Sequence, residues 1–195
     1  HLPNLDALAQ CSAVGLTTPV AHGITPGSGP GHIALFGYDP VKYLVGRGVL
    51  EALGLGVELS KEDVAVRCNF CTVDTAGTIV DRRAGRISTE ESESLVELLK
   101  QIKVPGLKLS LYPGKGHRFV MVMRGEKLGT DVVETDPGTT GRPAVPATAF
   151  SEGSQRTAEA VGDFIAAARD LLTGQRSANM VLARGYSHIP DWRSM

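Results

Sequence analysis

The sequence lacks the features that would tie it to a membrane, a nucleic acid or an oxidising compartment. Its formal net charge is −1, so no global positive field draws it to nucleic acid or to anionic lipid, and any anion site must come from local clusters. No apolar run reaches the length of a membrane span, and no charged-apolar-small signal segment opens the chain. Cysteine is scarce: Cys11, Cys68 and Cys71 are an odd set with no second pair to complete a zinc site, which fits a reducing cytoplasm. There is no internal repeat and no low-complexity tract. What is there, 195 residues at 42% hydrophobic content, suffices to bury a core in one large domain, or in a small domain with part of another. The chain opens on His1-Leu2-Pro3-Asn4 without an initiator Met and closes on Asp191-Trp192-Arg193-Ser194-Met195, as a fragment of a longer protein or a trimmed product would.

Apolar spacing predicts a short helix over 3–10, with Leu2, Leu5, Leu8 and Ala9 on one face and Pro in its first turn. A Gly/Pro/Ser/Thr-rich loop over 11–31 follows, then a helix from Ile33 that stops at Gly37 and another over 45–53. Residues 64–73 and 78–81 read as a hairpin across Asp74-Thr75-Ala76-Gly77. Ser88-Thr89-Glu90-Glu91 has capping-box spacing ahead of Leu95, Leu98, Leu99 and Ile102. Alternation returns over 107–112 and 119–123, a Gly/Pro/Thr-rich loop spans 136–146, a long helix 158–172 and a final strand 179–183. Residues 58–176 thus read as a compact α+β unit with an antiparallel sheet and two helices on one face. Residues 1–57 and 177–195 read as parts of a core that this unit interrupts, which makes the whole α/β.

Three places carry candidate chemistry. The stretch from Thr25 to Pro40 sets Ser28 among Gly27, Gly29, Pro26 and Pro30, so that its hydroxyl can project from the tip of a turn toward a phosphate. An isolated Gly-Ser-Gly equally suits a turn serine bonding its own backbone. His32, four residues on, is at helical spacing for a base. Neither a Walker A nor a dinucleotide fingerprint is present. Arg82, Arg83 and Arg86, with Asp81 ahead and Arg67 on the paired strand, are the densest cation cluster, and guanidinium groups on one sheet face suit phosphate and carboxylate; a solvated hairpin end would look the same. Lys115-Gly116-His117-Arg118 is a second basic loop, readable as a phosphate cradle or as an ordinary turn. Cys68 and Cys71, three apart on a strand, point to opposite faces and read as structural thiols.

In order along the chain, Pro3-Asn4-Leu5-Asp6-Ala7-Leu8-Ala9, Pro26-Gly27-Ser28 through Gly37-Tyr38-Asp39-Pro40, Gly46-Arg47-Gly48, Arg67-Cys68-Asn69-Phe70, Asp81 through Ile87, Gly116-His117-Arg118 and Thr135-Asp136-Pro137 resemble the archaeal-type, cofactor-independent phosphoglycerate mutases of the alkaline phosphatase superfamily. The resemblance implies a phosphatase-like core interrupted by a lid domain. It implies interconversion of 3- and 2-phosphoglycerate in glycolysis and gluconeogenesis, with Ser28 as metal-activated nucleophile and metal ligand. Arg67, Asp81, Arg83, Arg86, His117 and Arg118 would bind substrate. It further implies divalent manganese, magnesium or zinc, no 2,3-bisphosphoglycerate, a small phosphorylated carboxylic acid as partner, a cytoplasmic location and room for a homo-oligomer, with no nucleic acid or membrane.

Two departures qualify that expectation. Many relatives have Ser-Asp-Thr-Ala-His where this chain has Ser28-Gly29-Pro30-Gly31-His32. The remaining metal ligands of the family fall outside the chain, so the expectation is a fragment inactive by itself. The alternatives are a related phosphatase or phosphonopyruvate-processing enzyme, or a non-catalytic anion-binding module.

Overall fold

The computed structural model describes residues 1–24 and 26–191; Thr25 of the serine loop and residues 192–195 of the expected return segment lie outside them. The chain divides into two compact units, His1–Leu44 and Val45–Met195. Among the described residues no helix is long and apolar enough to cross a membrane.

The first unit carries two helices, α1 (Pro3–Gln10) and α2 (Ser28–Leu35). The first forms where Pro spacing and apolar periodicity place it, and it buries none of its residues. The second starts five residues earlier than its apolar run suggests, at Ser28, with extended Gly27 as its N-cap. Pro30 is tolerated there because the first turn of a helix has no intrahelical use for its N–H groups. Gly37, at φ +81°, ends the segment as expected.

The second unit holds α3 (Arg47–Gly54), β1 (Val64–Val73), β2 (Ile79–Asp81), α4 (Thr89–Leu99), β3 (Lys108–Pro113), β4 (Arg118–Arg124), α5 (Gln155–Leu171) and β5 (Met180–Ser187). The fold is mixed α/β around one antiparallel sheet. Its order is β2-β1-β4-β3, with β5 also on β1. Ser88 caps α4 by accepting the Glu91 N–H at 3.1 Å.

The strand period sorts β1 onto two faces. Val64, Val66, Cys68 and Phe70 join α4 and α5 in the main core, where the Phe70, Phe119 and Phe164 rings meet at centroid distances of 4.9 and 6.5 Å. On the opposite face Ala65, Val120 and Val122 pack against Val49 and Ala52 of α3. That helix rests on the strand itself: a Cβ added at Gly48 would stand 2.2 Å from the Ala65 carbonyl oxygen.

The segment boundaries read from composition fall elsewhere than the boundary between the units. α3, expected with residues 1–57, and β5, expected as a return segment, both belong to the second unit. The reason is complementarity: α3 covers an apolar patch of the sheet, and β5 satisfies the edge of β1 from Ala65 to Cys71. The two cysteines behave as expected. Cys68 lies in the main core and Cys71 in a small cluster with Val73, Ile79 and Leu182, and burial pushes both thiols well above their ordinary range.

Candidate functional site

On the α3 face of the sheet, β1 alternates from apolar to polar and back. Ala65 lies under α3, Cys71 and Val73 lie in the smaller cluster, and Arg67 and Asn69 sit between them. Pairing register brings two more guanidinium groups to this polar window. Arg184 of β5 is the Cα partner of Arg67, and Arg118 of β4 is the Cα partner of Asn69. The bulge at Gly185, at φ +64°, sets Arg184 on this face; a Cβ there would stand 2.7 Å from the Arg47 backbone nitrogen, so Arg47 at the start of α3 is drawn close too.

Glu51, one turn along α3, faces two of these cations, with Oε2 3.6 Å from Arg67 Nε and Oε1 3.7 Å from Arg118 Nη1. Both distances exceed hydrogen-bond length, so the attraction is electrostatic and leaves the donors unspent. Arg67 Nε, Arg184 Nε and Asn69 Oδ1 are buried with no hydrogen-bond partner among the described residues. Burial lowers the pKa of Arg67; Glu51 opposes that, and Arg118, Arg184 and Arg47 reinforce it. The guanidinium stays charged, but in a setting short of negative charge.

His117 completes the group from the β3–β4 hairpin. Its carbonyl accepts the Phe70 N–H at 2.8 Å, and neighbouring Gly116 donates its N–H to Thr89 Oγ1 at 3.1 Å. Burial, and then the charges of Arg118, Arg67, Arg83 and Arg86, push its imidazole below the ordinary histidine pKa. The surroundings therefore favour the neutral ring over the imidazolium.

The Asp81-to-Arg86 cluster divides by role. Arg82 is committed to structure: its Nε and Nη2 meet both oxygens of Asp136 at 2.7 and 2.8 Å, and Nη1 donates to the Gly138 carbonyl. Asp81 is committed as well, accepting the N–H groups of Arg83 and Gly85 at 2.7 Å each. These two bonds shape the turn that carries Arg83 and Arg86. Ala84, Gly85 and Arg86 follow in the left-handed region, at φ 50°, 64° and 57°. Two of these are not glycine, and such backbone costs about 1–3 kcal/mol each. The turn leaves Arg83 and Arg86 exposed, with no ion pair among the described residues.

Sequence reasoning brought forward Arg67, Asp81, Arg83, Arg86, His117 and Arg118, and the four arginines of that set all act on the charge of His117. It missed Asn69, Glu51 and Arg184. Asn69 was within reach, two positions from Arg67 on an alternating strand. Arg184 lies one residue beyond the expected end of the last strand. The Thr135-Asp136-Pro137 motif proves to be a clamp: Thr135 exchanges hydrogen bonds with the backbone of Ala183, and Asp136 accepts from both Arg82 and Arg184. A surface groove of about 1030 Å³ lined by Asp131, Ser154, Arg156 and His188, among others, contains none of the sequence candidates. Its Arg156 already serves the Glu126 and Gly106 carbonyls.

Ser28 belongs to the first unit, exposed at the first position of α2, where the helix dipole favours negative charge. His32 does not act on its hydroxyl. The imidazole Nδ1 donates to the Ser28 carbonyl oxygen at 2.6 Å. Among the described residues no three His, Cys, Asp or Glu side chains converge to hold a metal ion. The described residues do not by themselves fit the divalent metal that the resemblance implies.

Fold and chemistry define a mixed α/β protein with a cationic sheet face suited to small anions. The chain belongs to the 2,3-bisphosphoglycerate-independent phosphoglycerate mutase family, whose model matches residues 9–177. It is 49% identical over 191 residues to a probable 2,3-bisphosphoglycerate-independent phosphoglycerate mutase of Thermotoga neapolitana, covering 97% of this chain and 47% of that protein. It is 49% identical over 195 residues to the Thermus thermophilus protein of the same description, covering 99% and 48%. The solved cofactor-independent phosphoglycerate mutase of Thermoplasma acidophilum superposes with a TM-score of 0.70 at 32% identity, over 84% of this chain and 47% of that one. The chain spans about half the length of the curated relatives it matches.

Proposed function

We propose that this chain contributes the substrate-gripping unit and the nucleophile segment of an enzyme that interconverts 3- and 2-phosphoglycerate. The observation that carries this reading is the convergence of Arg67, Arg118, Arg83 and Arg86 around His117, with Arg184 beside Arg67, in a member of this family. Such a surface neutralises a ligand bearing both a carboxylate and a phosphate, and phosphoryl transfer is mainly positioning and charge neutralisation. In this reading the second unit acts as the lid. Ser28 Oγ forms the new bond to phosphorus as the substrate's own oxygen–phosphorus bond breaks, and the serine proton ends on the freed glycerate oxygen. The phosphoryl group then passes to the other hydroxyl of the same glycerate, whose proton returns to Ser28 Oγ as the serine is released. Retaining glycerate between the two transfers requires that water be kept out.

The same reading makes the working enzyme dependent on a divalent metal, independent of 2,3-bisphosphoglycerate and cytoplasmic, with residues 1–195 alone inactive. The test compares this chain with a polypeptide extended to the length of the relatives, assaying conversion of 3- to 2-phosphoglycerate with and without added manganese. The expected result is turnover in the extended protein only, lost on chelation and lost in Ser28→Ala. An Arg67→Ala variant should lose about tenfold or more in kcat/KM, the worth of a charged hydrogen bond. Undiminished turnover in Ser28→Ala would sink the phosphoserine route. Release of inorganic phosphate without isomer would identify a phosphatase instead.

A further inference from the structure

The polar window contains one group that the charge argument does not use. Asn69 is 6% exposed, and its Oδ1 is buried without a hydrogen-bond partner. A buried amide oxygen left unpaired is destabilising, so its place two positions from Arg67 on β1, between Arg118 of β4 and Leu182 of β5, calls for a reason. The guanidinium groups around it can only donate. Glu51 faces Arg67 and Arg118, and the Nη groups of Arg184 meet Asp136 and Glu134 at 3.3 and 3.4 Å, which leaves its Nε unpaired. Asn69 is therefore the uncharged acceptor beside these guanidinium groups, and an anion arriving there would satisfy their remaining donors while leaving Asn69 unpaired. A ligand that also carries a hydroxyl would satisfy both.

We propose that Asn69 is a specificity-determining residue that accepts the hydroxyl proton of a small hydroxy acid whose anionic end is held by Arg67, Arg118 and Arg184. The proposal rests on the reading of the arginine face given above and adds to it a way of telling a hydroxylated anion from a bare one. Simple dianions bind by charge alone, whereas a glycerate-type ligand gains a further contact on β1.

The test titrates the 195-residue chain with 3-phosphoglycerate and with its 2-deoxy analogue, 3-phosphonooxypropanoate, following backbone amide resonances. The wild type should prefer the hydroxylated ligand by about tenfold. In Asn69→Ala the ratio should fall to about one, with the amide spectrum confirming that the fold is kept. Asn69→Asp retains an acceptor oxygen and adds a negative charge, so it should keep the preference while weakening both ligands, a pattern that loss of packing would not produce. Equal affinities in the wild type, or an unchanged ratio in Asn69→Ala, would overturn the proposal. If the wild type bound neither ligand, the arginine-face reading itself would fall. The comparison of two ligands on the wild type stands even if Asn69→Ala does not fold.

Discussion

The two units differ in how they use the same apolar residues. In the first, Leu2, Leu5, Leu8, Leu16, Leu35 and Phe36 are all exposed, and α1 buries nothing. In the second, three phenylalanines, two helices and the sheet close a core whose central side chains are inaccessible to water. Helical periodicity is present in both, but periodicity only marks where a face lies. Stability comes from what the face is packed against. The second unit carries its own partner surface on both sides of the sheet, and within the first unit the leucines of α1 have none.

The sharpest way to break this contrast is a pair of truncations. Phe119→Ala should cost about 3–5 kcal/mol, and Leu8→Ala should stay within about 0.5 kcal/mol, both read as shifts in denaturant midpoint at constant m. Equal effects would mean that α1 buries its face in solution. Next in size is acid sensitivity. Burial raises the carboxyl of Asp136, but the Arg82 hydrogen bonds, the Gly138 N–H and Arg184 outweigh it and hold it low; at Asp63 the Ser60 N–H and Arg124 do the same. Groups with a lowered native pKa stabilise the fold above the unfolded value of about 3.9, and that contribution is lost as pH falls through the native value. The second unit should therefore lose stability below about pH 4, and Asp136→Asn should flatten this acid limb while costing about 1–3 kcal/mol at neutral pH.

Smaller still is the cap of α4. Ser88→Ala should cost about 1 kcal/mol by the same denaturation measurement. The smallest effect sharpens the site. The native pKa of His117 lies below its unfolded value, so the unfolded chain binds more protons in that window, and stability falls as pH drops below about 6.5. An anion bound among the guanidinium groups should raise the imidazole pKa, so binding should take up a proton and tighten toward pH 6. Titration of the His117 ring protons with and without inorganic phosphate reads this directly; a pKa that does not move would place the anion elsewhere.

Much of this architecture is legible in the chain. β1, the β1–β2 hairpin, the Ser88 cap and the alternating strands β3 and β4 follow from local rules that tertiary contacts do not override, because each has an apolar face matched to its period. The start of α2 was less legible, since Pro30 and two glycines signal a turn while a first helical turn accepts them equally. The cation cluster was half legible. Arg82, Arg83 and Arg86 look alike in sequence, and only the approach of Asp136, 54 residues away, commits one of them to structure and leaves the others free to face solvent. Arg184 and Glu51 reach the site through strand register and helix docking, which no local pattern encodes.

The placement of β5 also constrains how the protein is made. Strand β1 is hydrogen-bonded to β4 along one edge and to β5 along most of the other, and residues such as Cys71 and Met180 that pair across that edge lie more than a hundred positions apart in the chain. A nascent polypeptide that has emerged only as far as α5 holds an open, apolar strand edge in the middle of its sheet, the kind of surface that invites pairing with another chain. The strand of this unit that emerges last is thus the one that covers the edge. Its contacts span more of the chain than those of the β1–β2 or β3–β4 hairpins, and pairing over such separations carries the larger loop-closure cost.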